Sequence, residues 1–280
     1  MRIVVCLTTI PSGYDGTKEV LKSLLKQDRL PDKIYLHLPK VFKKTGELYP
    51  KFEFPHNDLI EIVYCEDKGS ITKLYPVLDK EKDPETRIII LDDDNVLNNE
   101  MVSTFEKYSK LHPNYILSTG GWIRGDFPLL FQPMFKNKEG VRRVDWVEGA
   151  GCILIPRKFL DKSILDYKKH IGDKSVRKLF KKHDDHWLSW HFHRKGIALA
   201  VIPHNFFLKK ATSKKSYQIS KTKGFLSEVY FLSNYLKEKG VYQEKADLSP
   251  LPLSLIIVIG LIILVIIIIF IFKLKKNGRR

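Results

Sequence analysis

Cysteine is scarce in this chain: Cys6, Cys65 and Cys152 are the only three among 280 residues, and no Cys-x-x-Cys pair occurs. An odd count of thiols, each inside an apolar run, excludes a disulfide framework and fits small buried hydrophobes in a reducing compartment. His183, His186, His191 and His193 crowd one segment, yet neither His-Glu-x-x-His nor a Cys/His zinc spacing is present, so a structural zinc centre is not expected. Internal repeats are absent. Acids are outnumbered, 32 against 48 Lys and Arg, which leaves a net charge of +16 and favours anionic ligands. Nucleic acid is not the expected partner, because the basic residues are scattered and no helix-turn-helix, zinc-finger or aromatic-basic RNA signature accompanies them. Nothing resembling a signal core precedes Ile3-Val4-Val5-Cys6-Leu7, which is better used as a first strand.

Long uncharged runs are absent until the carboxyl end. There Leu251 to Phe272 is dominated by Ile, Leu and Val, and its length suits a bilayer-spanning helix. The expected organisation is a globular domain over 1–248, a linker over 249–252, a transmembrane helix over 253–272 and a basic tail over 273–280. Five cations, Lys273, Lys275, Lys276, Arg279 and Arg280, lie in that tail. A single-pass C-terminal membrane anchor follows, with the globular domain in the cytosol, although the terminal cations favour the opposite orientation.

Within 1–248 the first half alternates strand and helix signals. Strands are expected over 2–9, 34–38, 59–65 and 87–91; helices over the Val20, Leu21, Leu24, Leu25 stripe and over 70–78. That alternation implies an α/β fold with a mostly parallel central sheet flanked by helices. The second half is less regular: a helix over 100–111, strands over 115–118, 144–148, 152–155 and 198–202, and helical patterns over 174–194.

The run Ile88-Ile89-Ile90-Leu91-Asp92-Asp93-Asp94 reads as a strand buried on both faces that delivers three acids to its carboxyl end, the edge where open α/β sheets bind ligands. Three adjacent carboxylates repel unless a cation neutralises them, so Mn²⁺ or Mg²⁺ on oxygen ligands is the expected cofactor. His183-Asp184-Asp185-His186 is a second acidic cluster, at a predicted helix start where the helix dipole favours negative charge.

These segments, taken in order, resemble the GT-A-type, family-two-like glycosyltransferases, across roughly residues 3 to 203. Thr8-Thr9-Ile10-Pro11 resembles that family's nucleotide-base loop, Asp67-Lys68-Gly69-Ser70-Ile71-Thr72-Lys73-Leu74 its Asp-x-Gly-x-x-Thr-Lys-Leu segment, and Asp92-Asp93-Asp94 its Asp-x-Asp. Glu148-Gly149-Ala150-Gly151 resembles its Glu-Gly-x-x-Gly segment, and Asp184-Asp185-His186-Trp187-Leu188 its Asp-Asp-x-x-Leu segment. The resemblance implies a GT-A-like (Rossmann-like) fold with a nucleotide-binding half over 1–96 and an acceptor half over 97–248. It implies a nucleoside-diphosphate sugar donor, a UDP-sugar by first choice, and a glycan, lipid-linked or protein acceptor. Donor contacts would come from Thr8, Thr9, Pro11, Asp67, Lys73, Asp92 and Asp93; metal ligands would be Asp94 and Asp92, with His204 as a third. Asp185, with Asp184 next, would be the general base of an inverting displacement. Trp122, Glu148, Gly149 and Trp187 would bind sugar, and Lys209, Lys210, Lys214 and Lys215 could close over the diphosphate or face anionic lipids.

Three alternatives compete. Asp92-x-Asp94 could be the nucleophile loop of a haloacid-dehalogenase-like phosphatase, but that loop follows a first strand and here three precede it. A nucleotidyltransferase would carry a Gly-rich basic loop after its first strand, which is missing. A membrane-tethered adaptor with a decayed transferase fold would keep the architecture and bind partners through its basic face.

Overall fold

The computed structural model describes residues 1–124, 131–133, 140–149, 151–212 and 225–238. The chain divides into a compact unit, Met1–Gln243, and a second unit, Glu244–Arg280, that lies outside the described residues. In order the elements are β1 (Ile3–Thr8), α1 (Tyr14–Leu24), β2 (Lys33–Pro39), β3 (Val41–Phe42), β4 (Glu47–Leu48), β5 (Ile60–Cys65), α2 (Val77–Lys80), β6 (Arg87–Leu91) and β7 (Asn95–Leu97). Then come α3 (Met101–Leu111), β8 (Tyr115–Ser118), β9 (Gly121–Arg124), β10 (Phe131–Pro133), β11 (Arg142–Arg143), β12 (Trp146–Val147) and β13 (Cys152–Pro156). The last are α4 (Tyr167–His170), α5 (Lys174–Lys182), α6 (Asp184–His193), β14 (Ala198–Val201), β15 (Phe207–Lys210) and α7 (Phe225–Glu238).

Eight strands form the central sheet in the order β11-β14-β8-β13-β6-β1-β2-β5. The pairings β6-β1, β1-β2, β2-β5 and β14-β8 are parallel, and β13 is an antiparallel insert between β6 and β8. Side chains on a strand alternate faces. In β1, Ile3, Val5 and Leu7 enter one core with α1 and α3, whereas Val4 and Cys6 enter another with α2 and α6. Both faces are covered, which is why β1 and β6 read as unbroken apolar runs. Each fully buried aliphatic side chain contributes about 1.5–3 kcal/mol. A third cluster gathers Tyr167, Ile171, Val176, Phe180, Trp187, Trp190 and Leu232 from α4 to α7.

Several expectations need correction. The 70–78 helix is a 3₁₀ turn, Ile71–Lys73, followed by the four-residue α2. The helical patterns over 174–194, by contrast, are met by two helices: the chain breaks at His183, whose φ of −110° and ψ of 73° are not helical, and α6 begins at Asp184, where a helix start was expected. Asp173 caps α5 by accepting hydrogen bonds from the Ser175 and Val176 amides at 2.7 and 3.2 Å. The membrane-spanning part of the expected fold, and the single-pass anchor drawn from it, are also corrected. Among the described residues no helix is long and apolar enough to cross a membrane. The 249–280 segment on which that expectation rested lies outside them.

Candidate active site

The carboxyl ends of β1 and β6 open on a cleft of about 1400 Å³. Its floor follows from strand alternation. Ile88 and Ile90 face the core that contains α6, and Asp92, two residues on, continues that face. Lys73, from the turn after Gly69, donates to Asp92 Oδ1 at 2.8 Å and lies 3.3 Å from Asp184 Oδ2. Its side chain is only 5% exposed. Burial by itself would push the Lys73 pKa down, but Asp184 and Asp92 overcome that and raise it, so the ammonium stays charged.

Asp93 turns the other way. Its Oδ2 accepts from the Thr9 hydroxyl and, at 3.3 Å, from the Thr17 hydroxyl of α1. Gly13 makes room for it, since a Cβ there would stand 2.8 Å from that oxygen. Burial pushes the Asp93 carboxyl up to about 6, against the Thr9 hydrogen bond that favours its ionised form. Asp94, beyond it, accepts from Lys210 Nζ and from Asn95 Nδ2, both at 2.9 Å.

The opposite wall is the start of α6, where unpaired helical amides favour negative charge. Asp184 is buried, and burial with the neighbouring Asp185 raises its pKa despite Lys73. Asp185 is lowered: against the desolvation of a half-buried position, it accepts from the His186 amide at 2.8 Å and pairs with His186 Nδ1 at 3.1 Å. Gly149 fits between these groups. A Cβ on it would lie 3.4 Å from Asp185 Cβ and 3.7 Å from Lys73 Nζ. Beside it Glu148 accepts from Trp122 Nε1 at 3.1 Å; burial and Asp185 push its carboxyl up to about 7.

Most of the residues singled out in the sequence therefore share this cleft: Thr8, Thr9, Asp67, Lys73, Asp92, Asp93, Asp94, Glu148, Gly149, Asp184, Asp185 and Lys210 all line it. Asp67 shapes its loop, accepting from the Lys43 amide at 2.9 Å and the Gly69 amide at 2.8 Å, where Gly69 supplies a φ of +78°. Pro11 opens a 3₁₀ turn leading to α1 and is not a lining residue. Trp122 stacks on Trp146 and donates to Glu148, which lines the cleft.

Two residues are placed elsewhere. Trp187 is fully buried, donates to the Ile164 carbonyl at 2.7 Å and stacks on Tyr167 at 4.1 Å, so it is core and not a sugar platform. His204 binds the Thr119 carbonyl at 2.7 Å and packs against Phe206 and Phe207, outside the cleft lining. Lys209 pairs with Glu19 at 2.8 Å. Lys214 and Lys215 lie outside the described residues.

Sequence reasoning missed two features. His183, Asp185 and His186 present ligand atoms within 4.8 Å of one another, the one such group among the described residues. The i, i+2, i+3 spacing matched no known zinc pattern. The cleft is also bordered by Lys168 and by Lys174, Arg177, Lys178, Lys181 and Lys182 of α5. The i, i+3, i+4, i+7, i+8 spacing of the five on α5 was visible, but a charged helix face usually just meets solvent.

No family model and no curated protein sequence matches the chain. Among solved structures it is similar to S. aureus TarS 1–349 in complex with UDP, at 12% identity and a TM-score of 0.48, over 88% of this chain and 67% of that one. The complex of the same protein with UDP-GlcNAc matches at 13% and 0.46, over 84% and 66%. The Francisella tularensis 2-C-methyl-D-erythritol 4-phosphate cytidylyltransferase IspD matches at 13% and 0.43, over 84% and 100%. This chain thus spans about two thirds of the TarS 1–349 chain. Likeness at these values concerns architecture alone.

Proposed function

We propose that this protein is a glycosyltransferase that moves a sugar from a nucleoside-diphosphate sugar to an acceptor hydroxyl. The observation that carries the reading is the convergence of strand-end acids Asp92 and Asp94, the buried cation Lys73 and the helix-start acids Asp184 and Asp185 in one cleft. The nucleoside would lie along Thr8, Thr9 and Asp67. The diphosphate would meet Lys73 and Lys210, whose charge offsets what builds on the leaving group as the anomeric C–O bond breaks and its electron pair departs with the phosphate oxygen.

Asp185 is the proposed base, taking the acceptor proton as the acceptor oxygen bonds to the anomeric carbon with inversion. Its side chain is 20% exposed against 10% for Asp184, and Asp184 is engaged with Lys73. Glu148, near neutrality in pKa, would exchange hydrogen bonds with a sugar hydroxyl.

Asp92 and Asp94 form an all-oxygen donor set suited to Mg²⁺ or Mn²⁺, each with a lysine on one oxygen and a partly exposed side chain. The His183, Asp185, His186 group offers nitrogen as well as oxygen and suits softer cations. A cation held by Asp92 and Asp94 would add positive charge beside the diphosphate.

A donor-hydrolysis screen tests the reading. Purified protein is incubated with a panel of sugar nucleotides, UDP-sugars first, with Mn²⁺, Mg²⁺ or chelator, and released nucleoside diphosphate is measured. Release that disappears in Asp92→Asn supports the transferase. Nucleotide-independent phosphatase activity, or no nucleotide affinity at all, overturns it.

A further inference from the structure

We infer that the basic face of α5 is a binding surface for an anionic acceptor, a glycan carrying phosphate or carboxylate groups. This rests on the transferase reading above and extends it to the acceptor.

The face is built by helical periodicity. Val176 and Phe180 point into the third core cluster, so Lys174, Arg177, Lys178 and Lys181, at i, i+3, i+4 and i+7, occupy the opposite side. All four line the cleft, with Lys168 from the preceding helix, and no acid of residues 165–182 lines it with them. Like charges at these spacings repel, and the body of α5 carries no acid to relieve them. Some of the cations are committed: Arg177 donates to the Ile171 and Gly172 carbonyls, and Lys181 lies 5.7 Å over the Tyr167 ring. Lys168, Lys174 and Lys178 are exposed and have no carboxylate partner among the described residues.

Position selects the acceptor over the donor. From Lys174 to Lys182 the helix extends about 12 Å, longer than two phosphates joined by one oxygen require. The diphosphate already has Lys73 and Lys210 at the strand ends. The helix leads through His183 directly into Asp184 and Asp185, the proposed base side of the cleft. A row of unneutralised cations along one wall concentrates a polyanion there and holds it lengthwise, with its hydroxyls delivered to Asp185.

The experiment measures binding of the full-length protein to three labelled polymers: inorganic polyphosphate, polygalacturonate and neutral dextran. It is repeated with Lys174→Glu/Lys178→Glu and with a control of equal charge change at the end of α1 and in the turn after it, Lys22→Glu/Lys26→Glu. The expected result is binding of one or both polyanions, weakened by salt and reduced at least about tenfold in the α5 variant but not in the control. The polyphosphate and polygalacturonate arms decide which anion is preferred. Equal binding by the α5 variant and wild type, or dextran binding as tight as that of the polyanions, overturns the inference. Wild-type donor hydrolysis is measured in parallel: hydrolysis without polyanion binding sinks this inference alone, and α5-dependent polyanion binding without hydrolysis sinks the transferase reading while the anionic site stands.

Discussion

The two acidic clusters of this chain, Asp92–Asp94 after a strand and Asp184–Asp185 opening a helix, look equivalent in sequence and are divided differently by the elements that carry them. At the end of β6, Asp92 joins the α6 side of the sheet and Asp93 goes to the α1 side, where Thr9 and Thr17 hold it. At the start of α6, successive residues are turned by about 100°. Asp184 faces Lys73, while Asp185 keeps an oxygen toward Gly149 and the cleft. Each cluster thus contains one acid committed to the fold and at least one offered to a ligand. Lys73 is the link, because it touches one acid of each.

The largest expected effect comes from breaking that link. Lys73→Met leaves Asp92 and Asp184 facing one another without their cation; urea unfolding should show a loss of about 3–5 kcal/mol, partly restored by adding Asp184→Asn. Unchanged stability would mean that the clusters are not coupled through Lys73. Asp185→Asn weighs chemistry against fold: transfer should fall about 10²- to 10⁴-fold in kcat, while loss of the charged pairing with His186 lowers the unfolding midpoint by less than Lys73→Met does. If Asp184→Asn alone costs kcat more than Asp185→Asn does, the two acids exchange roles.

Asp93 gives an intermediate effect with a pH signature. Its folded pKa of about 6 lies above the ordinary 3.8 of an unfolded aspartate, so between those values the folded state binds more protons and stability falls as pH rises. In Asp93→Asn this fall, on the order of 3 kcal/mol at most, should flatten across that window in urea titrations. Glu148→Gln should flatten an overlapping window, from 4.5 up to about 7, for the same reason. The smallest effect is expected at Lys210, whose side chain is 58% exposed. Lys210→Ala should change stability by about 0–1 kcal/mol and raise the KM for donor.

The apolar stretch Ile88–Leu91 could be recognised in the sequence because both of its faces are covered, so burial leaves no alternation to misread. The ends of β6 and β8 fell where the sequence placed them for the same reason. Lys73 and Asp67 were visible as candidates through the loop around Gly69. Trp187 was not legible as core, nor His204 as a packing residue, because an aromatic ring carries the same letter whether its partner is Tyr167, a carbonyl or a sugar. The basic face of α5 was invisible as part of a site, since its spacing matches any solvated helix.

By itself, the sequence determined the main strands of the central sheet, the α1 and α3 helices and where acids gather, because hydrophobic periodicity and strand ends are local properties. The tertiary structure alone decided which acid of each cluster faces the cleft and which cation answers it. Those outcomes depend on contacts between residues far apart in the chain, such as Lys73 with Asp184 and Asp93 with Thr9.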